Sequence, residues 1–130
     1  AALVEAQVPY AAILGNHDAE ADLQRLGIAR LDHESNRLSL TPSPPLFGAN
    51  AGRVNFFLDI CASSHTAATG NATNRCGGSG PAARIWMLDS GNRGCENVRT
   101  GWGCVDSASV KAVGWLTGQQ RDEPGCPEVR

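Results

Sequence analysis

Apolar and polar positions divide the chain into a few short patterned stretches separated by longer unpatterned ones. Residues Ala1 to Gln7 are helix-favouring, with apolar side chains at Leu3 and Val4, and Pro9 closes that pattern because proline cannot continue a helix. Tyr10 to Leu14 is a continuous apolar run followed at once by Gly15. It predicts a buried strand of a parallel or mixed sheet that delivers its end into a loop. Asp18 is placed to cap a helix over residues 19–31, with Leu23 and Leu26 on one face and Gly27 as a weak point.

From Arg37 the period shortens to two. Leu38 and Leu40 alternate with polar neighbours as in a half-buried strand, which the prolines at 42, 44 and 45 end. Val54 to Ile60 predicts a second strand and the apolar quartet Ile85 to Leu88 a third, and the two can pair as a long hairpin. Between them lies a Ser/Thr/Ala/Gly/Asn-rich insert over about 61–83 with no periodicity, expected to be a solvated loop. Ser107 to Leu116 reads as a helix with Val110, Val113, Trp115 and Leu116 toward a core, and a polar stretch with Gly118, Pro124, Gly125 and Pro127 follows.

Composition refines this picture. The chain has 130 residues, 42% hydrophobic and 18% charged, which sets it apart from disordered sequences and gives it the length of a single ordinary domain. With aromatics at 5%, the core is expected to rest on Leu, Ile, Val and Ala. A formal net charge of −2, with Lys111 the single lysine and the arginines spread singly, lacks the clustered cations that nucleic-acid binding requires. No apolar run approaches the ~18–20 residues that cross a bilayer, so neither nucleic acid nor membrane is an expected partner. The start carries none of the features of a secretory signal, and its opening in mid-pattern reads as the interior of something longer.

Five cysteines stand at 61, 76, 95, 104 and 126, without the short spacing of a structural zinc site. Cys61 and Cys76 bracket one loop, and Cys95 and Cys104 a shorter one; each pair can close as a disulfide in an oxidising compartment. Asn71-Ala72-Thr73 is a glycosylation sequon within the first loop. Together these favour a secreted or vacuolar protein over a cytoplasmic one with inert thiols.

One segment concentrates chemistry. Gly15-Asn16-His17-Asp18 follows the apolar run directly. Gly15 permits an unusual turn, the Asn16 amide oxygen can coordinate a divalent cation, and His17 exchanges a proton near neutral pH. Asp18 can hold the imidazole in one tautomer. That division of labour suits an acid-assisted, metal-dependent hydrolysis.

In context, Val8-Pro9-Tyr10-Ala11-Ala12-Ile13-Leu14-Gly15-Asn16-His17-Asp18 resembles the third sequence block of calcineurin-like metallophosphoesterases, in particular their single-domain branch that is similar to purple acid phosphatases. Ile85-Trp86-Met87-Leu88-Asp89-Ser90-Gly91 resembles a later strand end of that branch. Gly101-Trp102-Gly103-Cys104-Val105 takes the place of its "GYGWI" segment, and Trp115-Leu116 that of a Trp-Phe pair. The resemblance implies an α/β fold, part of an α/β/β/α sandwich with mixed sheets, and hydrolysis of phosphoric esters on small molecules or phosphoproteins. It implies two metal ions, commonly iron, zinc or manganese, with Asn16 as a ligand, His17 as the group that protonates the leaving oxygen, and Asp18 as its orienting partner. The family's Asp-x-His, Gly-Asp-x-x-Asp/Asn and Gly-His-x-His blocks have no counterpart here, and neither His33 nor His65 replaces them. Residues 1–130 are therefore expected to be part of such a domain and inactive alone. The alternative is a catalytically inactive, disulfide-linked secreted module on the same scaffold.

Overall fold

The computed structural model describes residues 2–61, 68–69, 76, 81–96 and 98–118. A short helix α1 (Ala2–Glu5) leads into an extended segment, then helix α2 (Arg25–Ser35), strands β1 (Phe56–Ile60), β2 (Ala68–Thr69), β3 (Ala83–Met87), β4 (Arg93–Cys95) and β5 (Val98–Trp102), and helix α3 (Ser107–Leu116). The fold is mixed α and β. Among the described residues its strands form two small antiparallel sheets, one in the order β2-β1-β3 and the other a β4-β5 pair.

The expected hairpin is present. β1 and β3 run antiparallel with Phe56 opposite Met87 and Ile60 opposite Ala83. Alternation along β1 sends successive side chains to opposite faces, and both faces are covered. Phe56 packs with Leu14, Ala29 and Val54 in the main core, against which Leu58 and Met87 also lie. On the other face Phe57 meets Trp86 edge-on at 5.2 Å, and Trp86 meets Phe47 at 6.3 Å. The Arg84 guanidinium lies 3.8 Å from the Phe57 ring centroid and grips Asp59 through two hydrogen bonds of 2.6 and 2.9 Å. The expectation of a core built on aliphatic residues is thus corrected, because Phe47, Phe56 and Phe57 are all buried. Few aromatics suffice, since each covers ~150–250 Å².

Tyr10 to Leu14 is extended, but among the described residues its ladder pairing is one parallel bridge between Tyr10 and Ser39. The predicted strand and the 38–40 alternation therefore meet as neighbours without forming a regular sheet. Two backbone hydrogen bonds join them, from Tyr10 N to Leu38 O at 3.0 Å and from Leu40 N to Tyr10 O at 2.6 Å, and side chains reinforce the contact: Tyr10 OH donates to Asp32 Oδ1 at 2.7 Å, and Ser39 Oγ donates to Asp32 Oδ2 at 2.5 Å. Burial pushes the Asp32 carboxyl up, but the hydrogen bonds from Ser39 and Tyr10 outweigh it and hold the group below its ordinary 3.8. A carboxyl lowered on folding stabilises fully above its unfolded value, and that contribution is lost as pH falls through the folded one. The stability gap between the wild-type chain and Asp32→Asn, read as urea midpoints, should narrow as pH drops from 6 toward 3; a gap independent of pH would contradict this.

The helix predicted over 19–31 begins instead at Arg25, after turns and bends through residues 16–23. Its start is set by burial of the Arg25 side chain, a tertiary contact invisible to local capping rules. Leu23 and Leu26 are exposed, and the inner face is carried by Ala29 and Ile28. α3 lies where the sequence predicts it, with the Asp106 side chain accepting from Ser109 N at 2.7 Å as its cap. Its buried face is small, however: Ser109 and Ala112 face inward, whereas Val110 and Trp115 are exposed.

Both bracketing cysteine pairs are joined, Cys61 to Cys76 and Cys95 to Cys104, with Cα separations of 5.1 and 5.2 Å. Two disulfides are compatible with an extracellular or secreted protein. Among the described residues no helix is long and apolar enough to cross a membrane. Asn71, His65 and Cys126 lie outside the described residues.

Candidate active site at the 15–18 turn

The turn that carries Asn16, His17 and Asp18 hangs from a buried arginine. Arg25, at the first position of α2, donates from Nη2 to Leu14 O at 3.0 Å and from Nη1 to Gly15 O at 2.8 Å. The same guanidinium donates from Nε and Nη2 to the two oxygens of Asp89, at 2.8 and 2.5 Å, and from Nη1 to Asn92 Oδ1. Asp89 is fully buried just beyond β3 and also accepts from Val54 N at 2.9 Å and Gly91 N at 2.7 Å. A buried carboxylate is tolerable only when paired and multiply hydrogen-bonded. One ion pair therefore fastens the end of the 10–14 segment to the end of the central hairpin, across 64 residues of sequence.

Asn55 continues the network. Its Oδ1 accepts from Asp89 N at 2.7 Å and its Nδ2 donates to Ser109 Oγ at 2.9 Å, which ties α3 to the same point. Arg53 adds an ion pair to Asp106 at 3.5 Å.

The predicted site residues sit on the solvent side of this clamp. Asp18 turns back on the loop, where its Oδ2 accepts from Gly15 N. Neither this carboxylate nor any contact of it reaches His17 among the described residues, so the structure does not bring the expected pair together, nor does Asp18 cap α2. The carboxylate on the imidazole is Glu20, whose Oε1 lies 2.9 Å from His17 Nδ1. His17 is two-thirds exposed and meets the Trp102 ring edge-on at 6.1 Å. Asn16 is half-buried, and its amide has no hydrogen-bond partner among the described residues. His33 is elsewhere, with Nδ1 3.0 Å from Thr41 O.

A cleft of about 590 Å³ opens beside the turn, between the start of α2 and the loops at 51–53 and 91–93; Glu20, Arg25, Arg53 and Arg93 are among its walls. Among the described residues no group of three His, Cys, Asp or Glu side chains is placed to hold a metal ion.

Glu20, Arg25, Asn55 and Asp89 were not expected at the site. The usable signal was an aspartate ending an apolar quartet, a charge that local periodicity leaves unexplained. Comparisons with protein families, curated proteins and solved structures found no match to this chain.

Proposed function

We propose that this chain is part of a metal-dependent phosphoesterase domain, in which it supplies the acid-base side of a phosphoric-ester hydrolase built as an α/β/β/α sandwich. The observation that carries the reading is convergence. The three blocks that resemble the metallophosphoesterase family lie apart in sequence, yet the first is joined to the second through Arg25 and Asp89 and to the third through His17 and Trp102.

For a pair of metal ions, the donors in the described residues do not suffice: the turn offers the Asn16 oxygen, and His17 Nδ1 is taken by Glu20. The proposal therefore assigns Asn16 one ligand position and leaves the other ligands to segments other than those described. His17 has the simpler task. With Glu20 on Nδ1, Nε2 is the nitrogen left to hold a proton for a departing alkoxide or phenoxide, and exposure gives the substrate access to it.

Two disulfides and the sequon at Asn71 favour a secretory or vacuolar route, and they equally suit the second reading, an inactive secreted module. Phosphate release from 4-nitrophenyl phosphate separates the two. The intact domain loaded with manganese, zinc or iron should turn over while the 130-residue chain alone does not. Turnover by the isolated chain that vanishes in His17→Ala would overturn this division, and an intact domain silent with all three metals would favour the module.

A further inference from the structure

We infer that the open backbone edge of the Tyr10–Leu14 segment pairs with the same edge of a second copy of this chain, forming a two-fold antiparallel dimer centred on Ala12. In extended backbone the N–H and C=O of one residue point to one side and those of the next to the other. The even-numbered residues face the 38–41 stretch: Tyr10 N donates to Leu38 O, Tyr10 O accepts from Leu40 N, and Ala12 N donates to Thr41 Oγ1. The odd-numbered ones face away from it. The backbone N–H and C=O groups of Ala11 and Ile13 make no hydrogen bond among the described residues. This stretch lies at the surface, since Ile13 is 40% exposed.

Both ends of the open edge are closed. Pro9, on the same side, has no N–H to offer, as suits an edge position. At the other end Gly15 N is taken by Asp18 Oδ2 and Gly15 O by Arg25 Nη1. What stays open is two donors and two acceptors on residues two apart. A second copy run antiparallel answers all of them: Ala11 exchanges both of its hydrogen bonds with the partner's Ile13, and Ile13 with the partner's Ala11. The four bonds use every open group of the two edges and leave none over. At the axis Ala12 meets the partner's Ala12 where antiparallel strands come closest, and a methyl group fits there.

Charge does not oppose the pairing. No charged residue stands between Glu5 and His17, so two such edges meet without like charges facing each other. Nor does a lysine or other charge guard residues 10–14, as exposed edges commonly require. The two 15–18 turns would stand roughly 20 Å apart at ~3.3 Å per residue, at opposite ends of the paired strands. The sites stay separate, and the inference does not rest on the phosphoesterase reading.

Light scattering on the 130-residue chain tests this without metal or turnover. As concentration rises from the micromolar to the millimolar range, the mean mass should climb from that of one chain toward that of two. In the same samples hydrogen exchange at the Ala11 and Ile13 amides should slow with concentration, a readout that needs no variant to fold. Ile13→Pro deletes an N–H that has no acceptor among the described residues of a single chain, yet it should weaken association at least about tenfold, because each dimer loses two hydrogen bonds. Ile13→Val should associate as the unsubstituted chain does. A one-chain mass at every concentration would overturn the inference, as would a dimer indifferent to Ile13→Pro. So would protection of both amides that does not vary with concentration, which would mean that the edge is covered within one chain.

Discussion

Asp89→Ala should destabilise the chain by about 3–5 kcal/mol, the usual cost of removing one partner from a buried ion pair. The carboxylate is 0% exposed and its Arg25 partner's side chain 9%, so solvent cannot compensate for the loss. Removing it strands the guanidinium together with the N–H groups of Val54 and Gly91, each a buried donor with its acceptor gone. Arg25→Ala should cost less. It leaves Asp89 with those two backbone donors and with Arg53 Nη1 at 4.0 Å, while of the two carbonyls it frees, that of Gly15 belongs to an exposed residue. Denaturant midpoints for the two variants give both the size and the order of the effects. An unchanged midpoint in Asp89→Ala would remove the clamp from the account of how the 15–18 turn is held.

This clamp also marks where sequence reasoning stops. Elements with a strong local pattern were legible: the strands expected over Val54 to Ile60 and Ile85 to Leu88, found at Phe56–Ile60 and Ala83–Met87, their antiparallel pairing, the helix at Ser107–Leu116, and both disulfides. For the strands, composition and local periodicity agree with what packing requires; for the helix they place the element but not its buried face, which Ser109 and Ala112 form. The start of α2 was not legible, because it is decided by Arg25 reaching across the molecule to Asp89, and no capping rule contains that information. Tyr10–Leu14 is extended as its apolar run predicts, yet apolar runs carry no record of which backbone groups they pair with, and among the described residues the pairing is a single bridge. At the site, Asn16, His17 and Asp18 were legible as a group, but their partners were not. Glu20, three residues beyond His17, reaches the imidazole because the chain turns at residues 16–19, whereas a continuous helix from Ala19 would have set a different geometry.

Loss of His17 should be the largest functional effect. His17→Ala in the intact domain is expected to lower phosphoester turnover by about 10²–10⁴-fold, the usual contribution of a positioned general acid. Stability should barely move, because the side chain is 66% exposed and its one ion pair, with the half-exposed Glu20, is a surface contact. A change in kcat without a change in denaturation midpoint separates proton transfer from folding, which Asp89→Ala cannot do. The loss should be greatest for substrates with poor leaving groups, since a phenoxide that departs readily has less need of a proton.

The most direct test of the central claim is therefore steady-state phosphate release by the metal-loaded intact domain and its His17→Ala variant, measured side by side with an alkyl phosphate at saturation. The account predicts turnover by the first and at least about a hundredfold less by the second, at equal denaturation midpoints. Equal rates would contradict it, and would leave the turn at residues 15–18 as a feature of the scaffold with no part in catalysis.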